Sequence, residues 1–397
     1  MTQSYDVVIV GGAVMGSSTA YWLTARQGFA NQPNGGRVLV VEKDPTYTYC
    51  ATTRSAGSIR QQFSTPENIA ISLFGIDFLR RVGDFLAVDG DVPAIGLKEK
   101  GYLFLASEAG RPILEKNHRL QIDMGADNVL LDAPALQARF PWLSTEGIAA
   151  GCLGLSMEGW LDPQQLLQGF RRKARAQGAE YRNDEVIGLE RQGGRVTAVQ
   201  LRGGGRIACG TVVNASGLFG SEVAAMAGID LPVRPKKRNV FVVDCREPLP
   251  NCPLVIDKTG AWFRPEGAFY VCGIQPDETN DPDSRSPEVD HSFFEETLWP
   301  LLAERIPALE SIKVVNAWAG HYDYNLFDQN AVLGPHPEVR NFLLCNGFSG
   351  HGLQQSPAVG RALSELIAEG RYVTLDLSRF GYERIAKNEP IVEENVV

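Results

Sequence analysis

The first 43 residues carry the feature that most constrains the fold of this chain, an apolar segment that runs into a glycine-rich turn. Residues 6–10 (DVVIV) have the pattern of a buried strand, and residues 17–26 have the pattern of a helix. Between them lies the turn, which consists of Gly11, Gly12, Ala13, Val14, Met15 and Gly16. Residues 37–43 (RVLVVEK) predict a second, parallel strand that ends at Glu42 and Lys43. Together these parts predict a dinucleotide-binding βαβ unit.

Each part of this unit has a physical role. Gly11 permits the tight turn, and Gly16 allows the helix and the strand to pack closely. The helix N-terminus offers N–H groups to a pyrophosphate, and Glu42 would accept hydrogen bonds from a ribose. Ala13 replaces the middle glycine of G-x-G-x-x-G, so a methyl group lies where the backbone approaches the phosphate. A buried strand–turn–helix without a nucleotide is the alternative interpretation.

The composition excludes several classes of function. The 397 residues are 44% hydrophobic and 21% charged, enough for two or three domain-sized units. The net charge of −9 argues against a nucleic-acid partner. The seven cysteines lack C-x-x-C spacing, so we expect reduced thiols and no metal site. Residues 7–25 are uncharged, but glycines interrupt them and Asp6 precedes them, so we expect no signal peptide, no membrane span and a cytoplasmic protein.

Periodicity and turn signals place further elements. Residues 66–88 predict an amphipathic helix, and Asp162 with Pro163 predicts the start of another. Residues 185–207 predict a three-stranded meander, which leads to a buried strand and a tight turn at Ala215, Ser216 and Gly217. Further strands are predicted at residues 239–243, 261–264, 269–273 and 314–319. We predict a surface loop at residues 275–287 and a loosely held tail after Phe380.

A second glycine-rich turn lies near the end of the chain, between a strand at residues 342–345 and a helix at residues 355–367. Its residues are Gly347, Phe348, Ser349, Gly350, His351, Gly352, Leu353 and Gln354. It repeats the arrangement of the opening, with helix N–H groups directed at an electron-rich group. It is not a nucleophile elbow, because His351 stands where G-x-S-x-G requires glycine.

These motifs, in this order, resemble the FAD-dependent D-amino-acid oxidase superfamily, nearest its sarcosine-oxidase-like members. The closing region also resembles the FAD-dependent oxidoreductase domain proteins. The resemblance implies an α/β fold in which a Rossmann-like FAD domain of the glutathione-reductase type is interleaved with a mixed, mostly antiparallel sheet domain that binds substrate. The implied FAD domain takes residues 1–90, 152–225 and 325–397, and the sheet domain takes residues 91–151 and 226–324.

The resemblance also implies where FAD binds. The opening turn and Glu42 with Lys43 would hold adenosine and pyrophosphate, with Val186 beside adenine and the 215–217 turn nearby. The isoalloxazine would lie along a segment formed by Thr52, Thr53, Arg54, Ser55, Ala56 and Gly57. Residues 347–354 would cap its pyrimidine edge, where helix N–H groups stabilise negative charge. Gly320 stands where some relatives link the flavin to a cysteine, so FAD is expected to be non-covalent.

The implied reaction removes a hydride from a carbon next to an amine and gives an imine that water hydrolyses. Arg60 matches the arginine that binds the substrate carboxylate, and a guanidinium suits that group; a surface arginine or a flavin contact is the alternative. Gln354 replaces a lysine that helps to hold the carboxylate. Tyr270 aligns with a lysine that promotes reaction with oxygen, which favours a dehydrogenase.

Four further side chains are candidates for the substrate side. They are Tyr322, Tyr324, His321 and His351, and each also has a structural interpretation. His351 is as compatible with a flavin contact as with a proton carrier. We expect Trp262 and Trp318 in the core rather than in the pocket.

The sequence therefore predicts an FAD-dependent oxidoreductase acting on a small N-substituted or D-configured amino acid, with oxygen or another carrier as electron acceptor. Two alternatives remain. An NAD-dependent dehydrogenase would use the same opening unit but needs no second turn for a tricyclic ring. A non-catalytic FAD-binding assembly or scaffold protein would use FAD only to support a surface.

Overall fold

The computed structural model describes residues 4–26 and 28–394. Within these residues the strands are β1 (Ser4–Val10), β2 (Val38–Glu42), β3 (Ser58–Ile59), β4 (Tyr102–Ala106), β5 (Asn128–Asp132), β6 (Ala150–Gly154), β7 (Gly159–Trp160), β8 (Glu180–Asn183), β9 (Val186–Gln192), β10 (Arg195–Leu201), β11 (Arg206–Asn214), β12 (Val233–Cys245), β13 (Leu254–Ile256), β14 (Trp262–Glu266), β15 (Phe269–Gly273), β16 (Ile312–Asn325), β17 (Val332–Pro335) and β18 (Phe342–Asn346). The helices are α1 (Val14–Ala25), α2 (Pro66–Arg80), α3 (Val82–Leu86), α4 (Arg111–Asp123), α5 (Ala133–Arg139), α6 (Pro163–Ala176), α7 (Gly220–Met226), α8 (His291–Phe293), α9 (Trp299–Arg305), α10 (Gly352–Glu369) and α11 (Glu383–Ala386).

The first sheet is built on the opening unit. Its order is β17-β18-β11-β1-β2-β8, with β10 and β9 continuing from β11. The pairs β18–β11, β11–β1, β1–β2 and β2–β8 are parallel. Alternate β1 side chains enter two cores: Val7 and Ile9 face α1, α2, α6 and α10, whereas Val8 and Val10 face α7 and the β9–β11 meander. A sheet covered on both faces explains the uninterrupted apolar sequence of β1.

The second sheet is mostly antiparallel. Its order is β16-β12-β15-β14-β13-β4-β6-β5, and β13–β4 is the parallel pair within the described residues. One face packs against α5 and α9 through Leu103, Phe241 and Phe263. The opposite face presents Tyr102 and Phe104 toward the first sheet and its helices. The predicted fold class, an α/β nucleotide-binding fold combined with a mostly antiparallel sheet, is confirmed.

Several local predictions are refined by the structure. The helix predicted at residues 66–88 is interrupted at Arg81, whose backbone leaves helical geometry (φ −111°, ψ 24°). Asp162 caps α6 as predicted and accepts a hydrogen bond from the N–H of Gln165 at 3.1 Å. The meander is confirmed, but its last strand continues to Asn214, so the predicted buried strand is part of β11.

The tail predicted to be loosely held is docked instead. Ile391 is buried, and its N–H donates to Asp328 Oδ2 at 3.0 Å while its carbonyl accepts from Asn330 Nδ2. Arg384 forms a buried ion pair with the same Asp328. The polar sequence suggested exposure, but its polar groups have partners in the turn that follows β16 and at Ser64 and Asn68.

The predicted domain borders stay a prediction, and β6 lies across the one placed between residues 151 and 152. Within residues 4–26 and 28–394, no helix is both long enough and apolar enough to cross a membrane.

Candidate functional site

A cavity of about 1330 Å³ lies between the two sheets. It extends from Gly11 and Glu42 at the edge of the first sheet to Arg60 and Gln354 beside the second. A volume above the ~300–1,000 Å³ typical of drug-sized ligands suits a long ligand together with a small second molecule. The carboxyl ends of β1 and β2 open into it, which is where α/β sheets bind ligands.

At the first end, two glycines bring the backbone of three elements together. Gly11 has a φ of +99°, and a Cβ atom there would collide with the carbonyl oxygen of Ala215 on the adjoining turn. A Cβ atom on Gly16 would collide with the carbonyl oxygen of Gly11. Gly16 therefore lets α1 start close to the turn. Ala13 precedes α1 with a φ of −69°, so its conformation needs no glycine.

Glu42 ties the end of β2 to this turn. Its carboxylate accepts hydrogen bonds from the N–H of Gly12 at 2.7 Å and from the N–H of Asp44 at 2.8 Å. Burial raises the pKa of Glu42. Lys43 follows, and its Nζ lies 3.0 Å from the centre of the Phe219 ring. Gly12 and Gly16 lie outside the cavity lining and support the turn. The predicted residues that line the cavity at this end are Gly11, Ala13, Val14, Met15, Glu42, Lys43, Val186, Ala215, Ser216 and Gly217.

The segment predicted to lie along the isoalloxazine divides into lining and supporting residues. Thr52, Arg54, Ser55 and Ala56 line the cavity. Thr53 instead donates a hydrogen bond to the carbonyl of Tyr47 at 2.6 Å. Gly57, with a φ of +76°, packs against the carbonyl of Leu161. Thr53 and Gly57 therefore lie outside the cavity lining, and their role as cofactor contacts stays a prediction.

Two side chains from the second sheet hold this segment in place. Arg264 donates from Nε and Nη2 to the carbonyl of Ala56 at 3.0 and 2.7 Å. Trp318 donates from Nε1 to the carbonyl of Arg54 at 2.9 Å. Trp318 lies outside the cavity lining, as predicted, but it is half-buried and belongs to none of the hydrophobic cores of the described residues. Trp262 was also expected in the core, but it lines the cavity, so that expectation is wrong.

The second glycine-rich turn, residues 347–354, forms the other end of the cavity and is called the closing turn below. Phe348, Ser349, Gly350, His351, Gly352, Leu353 and Gln354 line it, and α10 begins there at Gly352. The first N–H groups of a helix have no partner within it, so this end offers donors to a ligand. Gly347 lies outside the lining, with a φ of +76°, and its N–H donates to Asp323 Oδ2 at 2.8 Å.

Asp323 was not identified from the sequence. Its buried carboxylate accepts from the N–H groups of Gly347 and Phe348, and its own carbonyl accepts from the N–H of Ser349. Burial raises the pKa of Asp323 to about 6. It joins β16 to the closing turn across a long sequence separation, and no local motif signals it.

We expect Asp323→Asn to change the pH dependence of stability. Below about pH 3 the carboxyl is protonated in both the folded and unfolded states. As the pH rises toward 6, the unfolded chain ionises first, so the wild type loses up to about 3 kcal/mol relative to the variant, and the difference is constant above pH 6. Thermal unfolding from pH 3 to 7 measures this. The exposed Asp244→Asn variant is the control, and parallel curves for wild type and Asp323→Asn would contradict the expectation.

The two glycine-rich turns are fixed relative to each other by the packing of α1 on α10. Ser18 Oγ donates to the carbonyl of Ser356 at 2.7 Å, and Trp22 Nε1 donates to the carbonyl of Pro357 at 2.9 Å. A Cβ atom on Gly360 would collide with Ser18, so glycine allows this close approach. Both helix N-termini therefore border one cavity.

Arg60 lies beside the closing turn, half-buried in the cavity wall. Its Nη2 lies 3.1 Å from His351 Nε2, and its backbone N–H donates to Gln354 Oε1 at 2.8 Å. The rings of Phe63, Tyr102 and Phe104 surround the guanidinium at 4.6, 5.8 and 5.1 Å. Tyr102 and Phe104 were missed because they come from β4, about forty residues further along the chain, whereas Phe63 lies three residues after Arg60.

Two donors at this end have no partner. Arg60 Nε and Gln354 Nε2 are buried and lack a hydrogen bond to any part of the chain that the structure describes. Unpaired buried donors are rare in native structures, because each costs about 1–3 kcal/mol. Burial and the nearby Arg60 lower the pKa of His351 to about 3, so its imidazole is neutral and accepts from the guanidinium. This arrangement is suited to an anionic or carbonyl-bearing ligand.

The remaining candidates lie on β16 and differ in whether they line the cavity. Tyr322 and His321 both line the cavity, and Tyr322 packs against Gly350, where a Cβ atom would lie 2.6 Å from the ring. Tyr324 lies outside the lining, with its ring 5.7 Å from the Arg238 guanidinium. His321 Nε2 lies 3.0 Å from the carbonyl of Ser286.

Tyr270 does not reach the cavity, so its prediction as a catalytic residue is wrong. Its hydroxyl accepts a hydrogen bond from the N–H of Leu249 at 3.1 Å. Tyr270 and Cys272 both belong to the core on the opposite face of the second sheet. Successive side chains of a strand point to opposite faces, so an alignment error of one residue on β15 is enough to misplace this side chain.

Comparison with known proteins identifies the family. The model of the FAD dependent oxidoreductase family matches residues 6–366. The chain belongs to this family. FAD-dependent oxidoreductase domain-containing protein 1 of Xenopus laevis is 47% identical over 425 residues, covering 99% of this chain and 85% of that protein.

Other similar proteins are more distant. Sarcosine oxidase subunit beta of Rhizobium meliloti is 26% identical over 374 residues, which cover 92% of this chain and 85% of that protein. The solved structure of L-proline dehydrogenase from P. horikoshii shares the fold, with a TM-score of 0.85, 24% identity and coverage of 98% of this chain and 100% of that one. The predicted family, its FAD cofactor and the class of enzyme, an FAD-dependent oxidoreductase, are confirmed.

The residues present fit FAD. Gly11 and Gly16 leave no room for a side chain at one end, as a backbone cradle for a pyrophosphate requires. Gln354 Nε2 and the start of α10 supply donors at the other end. A single cavity joins the two ends.

The C-terminal tail also reaches this cavity through Glu393 and Glu394. The Glu393 carboxylate accepts from the N–H and Oγ of Ser64, both at 2.7 Å, from Asn68 Nδ2 at 2.6 Å and from Thr65 Oγ1. Glu394 instead pairs with Lys116, and both side chains are exposed.

We expect Glu393→Ala to lower the free energy of unfolding by about 2 kcal/mol, because several part-buried donors lose their acceptor. Glu394→Ala is the matched control, with an expected cost below about 1 kcal/mol because its ion pair is exposed. Denaturant unfolding measures both variants. Equal losses in the two variants would contradict a docked tail.

Proposed function

We propose that this FAD-dependent oxidoreductase oxidises the C–N bond of a small N-substituted or D-configured amino acid. The observation that carries this proposal is the Arg60 guanidinium in the cavity wall, with a buried, unpaired Nε. A guanidinium binds a carboxylate in a defined orientation, because its N–H groups match the two oxygens. The likeness to sarcosine oxidase subunit beta supports an amino-acid substrate.

We propose that FAD is held non-covalently, with adenosine and pyrophosphate at residues 11–16 and 42 and the isoalloxazine beside residues 52–56 and 348–354. When bound, FAD supplies a hydride acceptor. Gly320, at the position of a flavin-linking cysteine, has no side chain to form a bond. Acid treatment should therefore release all the flavin into the supernatant, and flavin retained on the precipitated protein would contradict non-covalent binding.

Side chains in the cavity wall would orient the substrate and exclude water. Arg60 would bind the carboxylate, and Tyr102 and Phe104 would form an apolar wall beside it. His351, neutral at physiological pH, would accept from Arg60 and so fix its orientation. The amine would lose its proton to solvent water before hydride removal, so no side chain has to act as a dedicated base, and water would then hydrolyse the imine.

We propose a dehydrogenase rather than an oxidase. The resemblance implies a lysine over the flavin in enzymes that react with oxygen. Within the described residues, the lysine that lines the cavity is Lys43, at the opposite end beside Glu42. Without an ammonium group near residues 348–354, we expect slow reduction of oxygen and faster electron transfer to an artificial dye.

Anaerobic mixing with a panel of N-alkyl, D- and L-amino acids tests the proposal. We expect loss of the visible flavin absorbance with at least one N-substituted or D-amino acid. Reoxidation by air and by a dye then separates the two acceptor classes. Fully loaded protein that no member of the panel reduces would overturn the proposal and favour a scaffold.

A further inference from the structure

Glu158 is a buried carboxylate outside the cavity, immediately behind Arg60. Its side chain is fully buried, with an exposed fraction of 0%. Within residues 4–26 and 28–394, it forms no ion pair with an arginine or lysine. Burying a carboxylate without a cation is costly, so such a group is a candidate for a functional role.

The chain makes specific room for this carboxylate. A Cβ atom on Gly154 would collide with Glu158 Oε2. The glycine at this position of β6 therefore leaves the space that the carboxylate occupies. Oε1 accepts from the N–H of Gln61 at 2.6 Å, and Oε2 accepts from Gln62 Nε2 at 2.7 Å. Both donors belong to the segment that follows Arg60.

These bonds fix the backbone on which Arg60 stands. The N–H of Arg60 is held from the cavity side by Gln354 Oε1, and the next N–H, that of Gln61, is held from behind by Glu158. Gln62 Nε2 also donates to the carbonyl of Tyr102 at 2.9 Å, and the Tyr102 ring lies beside the guanidinium. Glu158 therefore connects the peptide of Arg60 to the strand that supplies one of its aromatic neighbours.

We propose that Glu158 is a positioning residue that sets the direction of the Arg60 guanidinium toward the substrate carboxylate. The proposal rests on the proposed function of Arg60. A glutamine at position 158 keeps one acceptor oxygen but turns an NH₂ group toward the donor of Gln61 or Gln62. One of the two hydrogen bonds to Gln61 and Gln62 is then lost, and the segment that contains Arg60 becomes more mobile.

The electrostatic surroundings agree with this placement. Burial raises the pKa of Glu158 to about 7, and the positive charge of Arg60 opposes that rise. The other titratable groups that interact with it are Tyr102 on β4 and Cys152 on β6, and burial raises the pKa of both. Arg60 is therefore the cation in the surroundings of this carboxylate.

The test uses the FAD-loaded protein and benzoate as a carboxylate probe, with binding followed by the change in flavin absorbance. We expect Glu158→Gln to raise the Kd for benzoate about 10-fold, with the flavin-to-protein ratio unchanged. For a substrate from the amine panel, KM should rise by the same factor and kcat should stay within about 2-fold.

Glu365→Gln is the matched control. This carboxylate is also buried and accepts N–H groups, from Val373 and Thr374, at the far end of α10. We expect a lower melting temperature and an unchanged Kd for benzoate.

An unchanged Kd in Glu158→Gln with a lowered melting temperature would overturn the proposal, and so would loss of FAD. Arg60→Gln separates this failure from failure of the proposed function. If Arg60→Gln weakens benzoate binding and Glu158→Gln does not, only the positioning role fails. If neither variant weakens it, the role of Arg60 fails as well.

Discussion

Replacing Arg60 with glutamine is expected to raise the KM of a carboxylate-bearing substrate about 100-fold, with FAD content unchanged. A charge-assisted pair with a carboxylate is worth roughly 1.5–3 kcal/mol, and truncation also leaves the substrate charge unpaired in an apolar wall. The backbone N–H that Gln354 Oε1 holds remains in the variant, so the closing turn should keep its geometry. Steady-state kinetics and the flavin-to-protein ratio measure the two effects.

Arg81→Gln is the control for this prediction. Arg81 is exposed, lies at the break between α2 and α3, and pairs with Asp77 and Asp84 on the surface. We expect unchanged kinetics for this variant. An unchanged KM in Arg60→Gln would remove Arg60 from the substrate site, and loss of flavin would reassign it as a cofactor contact.

Gly11→Ala is expected to weaken FAD binding at least about 100-fold. The φ of +99° disfavours a side chain by about 1–2 kcal/mol, and the added methyl would also collide with the carbonyl of Ala215. The turn can relieve this collision only by moving away from β11, which displaces the N-terminus of α1 from the phosphate position. Flavin retention after gel filtration and the melting temperature are the measurements.

Gly125→Ala separates conformational strain from collision. Gly125 has a φ of +98°, and an added Cβ would meet nothing within 4 Å. Its variant should lose about 1 kcal/mol of stability and keep its full flavin content. Equal flavin loss in the two variants would show that destabilisation alone releases FAD, against a specific role for Gly11.

The nucleotide end could be predicted from sequence because its determinants are local. Strand, turn and helix follow one another within about thirty residues, and each position has one physical requirement. Gly11 and Gly16 meet those requirements in the structure. The closing turn was predictable for the same reason, since strand β18 runs directly into it and α10 follows it directly.

The substrate end depends on contacts between distant segments, which periodicity does not reveal. Asp323 and Glu158 bind backbone N–H groups 24 and 97 residues away. Tyr102 and Phe104 reach Arg60 because β4 pairs with β13 beside the cavity. Tyr270 was misplaced because a strand exposes alternate faces, and sequence alone does not fix which face is turned toward the cavity.

The most direct test compares an N-alkyl amino acid that reduces the flavin with the same amine lacking its carboxylate. Both are mixed anaerobically with the FAD-loaded protein, and the rate of flavin bleaching is recorded at equal concentrations. We predict rapid bleaching by the amino acid and at least about 100-fold slower bleaching by the decarboxylated amine, because only the former engages Arg60. Equal rates for the two compounds would contradict a carboxylate-anchored amine oxidation at this site.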